Sequence, residues 1–127
     1  MPTRKQYTPD PKLRTRCYQN CEILSETDGD TVDVLVDQGF DSFQRVRFRM
    51  AFINAPETGT PEGEKAREYL KTLLPVGFKC TVYSFKDKNY REKKEKYGRY
   101  LGIFVDAFGT AVHELLLESG NAKPYEK

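Results

Sequence analysis

The sequence predicts a mainly β fold with helices, of the α+β class, on three observations. Val32, Val34 and Val36 alternate with Asp33 and Asp37, the period of a half-buried strand. Val46, Phe48, Met50 and Phe52 repeat that alternation against Arg45, Arg47 and Arg49. Ala66, Tyr69, Leu70, Leu73 and Leu74 recur instead at helical spacing, on one face.

The elements follow in order. Residues 1–13 are rich in proline and charge and poor in apolar side chains, which predicts a flexible arm ahead of a single domain over 14–127. A first strand runs from Arg14 to Glu26, and "DGD" (Asp28 to Asp30) supplies turn chemistry. The second strand holds the three alternating valines, "DQGFDS" makes the next turn, and the third strand runs on through Phe52. Thr60 then caps a helix whose first turn holds Pro61, Glu62 and Glu64, and Pro75 and Gly77 stop it. A fourth strand spans Phe78 to Phe85 and a fifth Tyr97 to Asp106, separated by a long charged loop. The last helix, about Thr110 to Ser119, ends at Gly120. Three strands, a helix, two strands and a helix fit a five-stranded OB-fold barrel with two helices. A ferredoxin-like layout needs a helix between the first two strands, and the turn at Asp28 leaves no room for one.

A chain of 127 residues is one domain's length. Its composition, 38% hydrophobic and 31% charged, is that of a globular protein rather than a disordered one. No apolar run approaches the roughly 18 residues of a membrane span, so no membrane role is expected. The amino-terminal segment is basic without a following apolar core, which predicts no secretory signal and a cytoplasmic protein. That expectation also accommodates a phage-encoded protein acting in its host cell. The odd set Cys17, Cys21 and Cys80 argues for reduced thiols. Period 2 places Cys17 and Cys21 on one strand face as packing residues, and no Cys/His set follows to complete a zinc site. A net charge of +2 selects no partner by itself. Arginines alternating along the third strand, and the basic loop Lys86 to Arg99, are patches able to hold phosphates or simply solvated faces.

The strand ends concentrate chemistry. In a three-strand meander the start of the second strand lies beside the end of the third. That brings Asp30, Asn54 and Glu57 to one rim, with Arg49 five residues before Asn54 and Arg99 opening the fifth strand. Carboxylate, amide and backbone oxygens suit a hard cation such as Ca²⁺ rather than zinc. Pro56 biases Ala55 to an extended conformation that aims its carbonyl. Two arginines nearby are able to grip a phosphodiester. Each piece also has a plain reading, as hairpin turn, strand terminator and surface arginine.

"DGDT" (Asp28 to Thr31), the Arg49-x4-Asn54-x-Pro56-Glu57 segment, "EKYGR" (Glu95 to Arg99) and "VHELLLESGNAK" (Val112 to Lys123) stand in this order. Together they resemble the staphylococcal nuclease-like (thermonuclease) family over roughly Cys21 to Lys123. The resemblance implies an OB-fold nuclease, a Ca²⁺-dependent phosphodiesterase largely indifferent to sequence. It acts on DNA and RNA and leaves a 3′-phosphate and a free 5′-hydroxyl. By motif, Asp30 matches a calcium ligand and Ala55 the residue whose carbonyl ligates the metal. Arg49 and Arg99 match the two arginines that hold the scissile phosphate. Glu57 matches the carboxylate assigned as general base, and Tyr97 a tyrosine near the bound phosphate. Lys96, beside it, joins the substrate-binding set, although a solvated loop cation is the plainer reading.

This sequence departs from the family's pattern in places. Asn54 stands where the best-known members have a second metal-binding aspartate, which predicts weaker metal binding. The segment from Glu57 to the first helix is shorter, the turn between strands two and three is longer, and Tyr125 is out of register with the family's substrate-stacking tyrosines. Asp28 reads as a turn residue or an outer carboxylate, His113 as structural, and Arg45 and Arg47 as an exposed strand face. Nucleic acid is the expected partner, single strands preferred on an open barrel face, and no protein partner is inferred. The alternatives are a catalytically inactive OB-fold nucleic-acid-binding module and a protein-interaction scaffold.

Overall fold

The longest strand, β1 (Thr15–Asp28), pairs antiparallel with two neighbours, and this double pairing closes a barrel. Its amino-terminal half lies against β5 (Lys79–Phe85) and its carboxy-terminal half against β2 (Thr31–Asp37). Register breaks between Tyr18 and Cys21, Ile23 and Ser25, and Glu26 and Asp28 bend it enough to serve both. The structure, a computed structural model, describes residues 6–87, 89, 91–94 and 98–125. Around the barrel the order is β1-β2-β3-β6-β5, with β3 (Phe43–Met50) parallel to β6 (Tyr100–Val105) and the other pairs antiparallel. This is the five-stranded OB-like barrel with two helices that the element order predicts.

The alternation read from the sequence sets the inside. Ile23, Val32, Val34, Phe48, Met50, Val82 and Phe104 form one buried cluster. Leu70 enters it from α1 (Pro61–Leu73) and Leu74 from the helix's C-cap, with Val112 and Leu116 from α2 (Val112–Glu118). Burying a Val, Leu, Ile or Phe side chain contributes about 1.5–3 kcal/mol each, so this cluster rather than the surface charges holds the barrel. The Thr60 hydroxyl caps α1 by accepting from the Gly63 N–H at 3.0 Å, with Pro61 in the first turn.

Three expectations need correction. The third strand does not continue through Phe52. It stops at Met50, and Phe52 takes a left-handed φ of 72° with its ring partly exposed. β2 begins at Thr31, opposite Arg49, so β3 has no residue of β2 to pair with beyond that point, and the Arg49 guanidinium then bridges the following turn by donating to the Met50 and Ile53 carbonyls at 3.3 and 2.8 Å. The chain then forms a two-residue strand, β4 (Ile53–Asn54), paired with β7 (Lys123–Pro124), a ribbon the sequence does not announce. Secondly, Cys17 and Cys21 do not share a face. The register break between Tyr18 and Cys21 leaves Cys17 exposed and Cys21 buried opposite Cys80. All three are free thiols, and burial pushes those of Cys21 and Cys80 up to about 12, which makes them poor nucleophiles and poor metal ligands at neutral pH. Thirdly, several ends shift: β1 reaches Asp28, β6 begins at Tyr100 and α2 is shorter than Thr110–Ser119.

Residues 6–13 form no strand or helix, yet the Tyr7 N–H donates to the Gly109 carbonyl and its ring packs 5.1 Å from that of Tyr83. Arg45 and Arg47 are exposed, as expected of a strand face, but both reach across to Asp33, Arg47 through Nε at 2.8 Å and Nη2 at 3.2 Å. The Arg47 hydrogen bonds hold the Asp33 carboxyl below the usual carboxylate range. Among the described residues no helix is long and apolar enough to cross a membrane.

Candidate active site

The turn between β1 and β2 and the end of β3 meet, as the meander requires, at the mouth of a cleft of about 860 Å³. Asp28, Asp30, Arg49, Asn54, Ala55, Glu57 and Arg99 all line it. Six of the eight residues proposed from sequence are therefore brought together. The other two, Lys96 and Tyr97, lie outside the described residues.

Asp30 is the fixed point of the rim. It is buried, and its Oδ2 accepts from the Ala55 N–H at 3.0 Å, tying the start of β2 to the segment after β4. Its Oδ1 accepts from the Thr31 hydroxyl at 3.2 Å, and that hydroxyl oxygen accepts from Arg99 Nη1 at 2.7 Å. Thr31 thus joins Arg99 on the far side of the cleft to the carboxylate. Gly29 makes the turn possible, since a Cβ there would lie 2.8 Å from the Cβ of Ala66 and 3.0 Å from that of Ala55.

Arg49 faces the same point from the end of β3. Its Nη2 lies 3.9 Å from Asp30 Oδ2 and 3.4 Å from Asn54 Oδ1, besides its bond to the Ile53 carbonyl. Only 8% of its surface is exposed, because the Tyr125 ring lies over the guanidinium at 4.7 Å. The β4–β7 ribbon puts that ring there, aided by the Tyr125 N–H donating to the Phe52 carbonyl at 2.9 Å.

Glu57 differs from its neighbours: it is exposed and its carboxylate has no partner among the described residues. Its backbone is nevertheless fixed. The Thr60 hydroxyl, while capping α1, donates to the Glu57 carbonyl at 2.8 Å, and that carbonyl rests against Gly63. Asp28 accepts from the Thr58 hydroxyl at 2.6 Å, which ties the other side of the loop. Asp28 is thus both a turn residue and a lining carboxylate.

Sequence reasoning missed several members of the site. Thr31 sits inside a quoted motif, but nothing in the chain order reveals that it links Asp30 to Arg99. Lys93 lines the cleft because its backbone is pinned between the Phe85 carbonyl and the Leu101 N–H; within a run of lysines no periodicity separates it from the rest. Lys86, by contrast, is paired with Glu92, so its charge is spent within the loop. The apolar floor is Ala51, Phe52, Phe85 and Leu101. His113 is buried outside the cleft lining, as its place on the last helix predicts, with its ring 5.2 Å from Phe52 and its pKa lowered by burial.

The donors fit a hard cation in kind. Asp28, Asp30, the Asn54 amide and nearby backbone carbonyls offer oxygen only. Among the described residues no three His, Cys, Asp or Glu side chains group closely enough to hold a metal ion by themselves, so amide and carbonyl oxygens would have to complete the set.

No protein-family model matches the chain. Similarity to individual proteins is informative. An uncharacterized endonuclease of Escherichia coli O157:H7 is 32% identical over 105 residues, covering 83% of this chain and 60% of that protein. A micrococcal nuclease of Shigella flexneri is 37% identical over 84 residues, covering 65% of this chain and 40% of its own length. The chain belongs to the staphylococcal nuclease-like family. Endonuclease YhcR of Bacillus subtilis (strain 168), 37% identical over 90 residues, extends the set, with 62% of this chain matching 7% of that much longer protein. The chain therefore spans three-fifths or less of each of these relatives. Family membership accounts for the ordered motifs and for the barrel that gathers them at one mouth.

Proposed function

We propose that this protein is a metal-dependent phosphodiesterase, a nuclease acting on DNA and RNA with little sequence preference. The observation that supports it most is the meeting of Arg49, Arg99 and Asp30 at one cleft, with the Glu57 carboxylate, unpaired among the described residues, on its lip. Cations that hold a phosphodiester beside a carboxylate free to take a proton are what hydrolysis of that bond requires. The names of the relatives point the same way.

In this reading Arg99, steadied by Thr31, meets a phosphate oxygen from one side of the cleft. Arg49 meets it from the other once Tyr125 moves aside. Glu57 orients the attacking water and accepts its proton. Asp30, Asn54 and the Ala55 carbonyl would hold Ca²⁺, with Asp28 nearby. When bound, the ion supplies Lewis-acid polarisation and orientation of the phosphate. Attack breaks the bond between phosphorus and the 5′ oxygen, which takes a proton from water and leaves as a free 5′-hydroxyl, so the other end is a 3′-phosphate. Lys93 and the basic loop add attraction for the backbone, so binding weakens as salt rises. Single strands fit the open cleft better than a duplex. We place the protein in the cytoplasm, where low free calcium would restrain a weak site.

The experiment is cleavage of a fluorescent single-stranded DNA with millimolar Ca²⁺ and with EDTA. Calcium-dependent cutting to 3′-phosphate ends is expected; binding without cutting in either condition overturns the reading. One observation favours the rival, an inactive binding module: both terminal nitrogens of Arg49 are turned onto backbone carbonyls beneath Tyr125. The same assay separates the two.

Asn54→Asp tests the metal assignment. A full charge at 4 Å is worth about 4 kcal/mol at an effective dielectric of 20 before hydration offsets it, and Arg49 Nη2 at 3.4 Å competes for the new carboxylate. The net expectation is a Ca²⁺ titration midpoint about tenfold lower. An unchanged midpoint by calorimetry removes Asn54 from the ligand set.

A further inference from the structure

The β2–β3 hairpin is built in a way the cleft does not explain. Phe43, Arg45, Arg47 and Arg49 share the outer face of β3, since Val46, Phe48 and Met50 point inward. Arg49 lies in the cleft, and the other three lead away from it along one strand. Beyond Phe43 the turn presents Phe40, whose ring is fully exposed on a left-handed backbone (φ 56°). Phe43 itself is 55% exposed.

This tip is a built platform. The Gln38 N–H donates to the Ser42 carbonyl and the Ser42 N–H to the Gly39 carbonyl, both at 2.9 Å. The Gly39 N–H donates to Asp37 Oδ1 at 2.8 Å, and the Gln38 amide to Gln44 Oε1 at 2.9 Å. Phe40 and Phe43, three residues apart on this framework, together expose an aromatic patch at the tip, the kind of feature that marks an interaction site rather than a lone surface ring.

We propose that the outer face of the β2–β3 hairpin is a track for single-stranded nucleic acid on one side of the scissile phosphate, with Arg45 and Arg47 meeting backbone phosphates and Phe43 and Phe40 stacking on bases. Alternate residues on a strand recur about every 6.6 Å, comparable to the spacing of successive phosphates along an extended single strand. Asp33 holds both guanidiniums and offsets one of the two charges, leaving a net positive face. Asp37 and Asp41 put carboxylates at the tip, which disfavours phosphate there and leaves the ring faces for bases. From Arg49 to Phe43 is about 20 Å, room for roughly three nucleotides beyond the cleft.

The track rests on the nuclease reading for its direction from the cleft, but its test does not require cutting. Fluorescence anisotropy in EDTA compares a single-stranded DNA of about 12 nucleotides with one of about 3, for the wild type, the double variant Phe40→Ala/Phe43→Ala, and Arg45→Gln. The double variant is expected to bind the longer strand about tenfold more weakly and the shorter one equally well. Arg45→Gln is expected to lower the slope of log affinity against log salt by about 0.7. Exposed rings leave the melting temperature unchanged, which controls for folding. Equal affinity of wild type and double variant for the longer strand, or no wild-type binding to it, overturns the track. Cleavage with Ca²⁺, measured alongside, keeps the two ideas apart. Cutting without hairpin-dependent binding retains the nuclease and discards the track; hairpin-dependent binding without cutting does the reverse.

Discussion

Glu57→Gln is expected to lower the single-turnover rate of DNA cleavage about 10²–10⁴-fold, the range for losing a general base, while leaving oligonucleotide affinity in EDTA nearly unchanged. Glutamine has the same shape, and the carboxylate it replaces is exposed and unpartnered among the described residues, so neither folding nor the rim depends on its charge. That separation makes the result readable. Cleavage at the wild-type rate would remove Glu57 from the chemistry. A parallel loss of affinity would assign it to holding substrate instead.

Gly63→Ala should be nearly as damaging, for a reason that reverses the usual rule. In an exposed helix, alanine for glycine stabilises by about 1 kcal/mol. Here a Cβ at residue 63 would stand 1.8 Å from the Glu57 carbonyl oxygen and 2.5 Å from its carbon, both backbone atoms with no rotamer to give way. The loop from Glu57 to Thr60 must move, and with it the Thr60 cap that bonds both the Glu57 carbonyl and the Gly63 N–H. A displacement near 1 Å costs on the order of 10²-fold in rate when it shifts a reacting group. The expected outcome is a lower melting temperature together with a loss in cleavage rate approaching that of Glu57→Gln. A more stable protein with undiminished activity would show that the loop is not held as described.

How far the site was legible depends on what each residue does. That Asp30, Arg49, Asn54, Ala55, Glu57 and Arg99 meet at one cleft was legible because strand ends and turns mark themselves by proline, glycine and charge, because a meander brings particular ends together, and because ordered motifs resemble a known family. Thr31 and Lys93 were not singled out. A hydroxyl that links an arginine to a carboxylate 69 positions earlier looks like any strand threonine, and its significance exists only once β2 and β6 stand on either side of the cleft. Tyr125 lay out of register by motif, yet the ribbon brings it over Arg49. Phe52 failed for the opposite reason. Its alternation was faultless, but β2 begins opposite Arg49, and with no partner beyond it the chain turns before Phe52.

The sequence by itself determined the barrel, because alternation and helical spacing report which atoms leave water, and burial of apolar surface is the main force that drives folding. It also determined the chemistry on offer at the mouth: two guanidiniums, hard oxygen donors and a carboxylate. Only the tertiary structure decided how those groups are held. It turned Arg49 inward beneath Tyr125, fixed Asp30 through the Ala55 N–H, and seated Glu57 against a glycine in α1. Those contacts join residues far apart in the chain at distances of a few ångströms. They are directional, and a pattern of polar and apolar letters holds no record of direction.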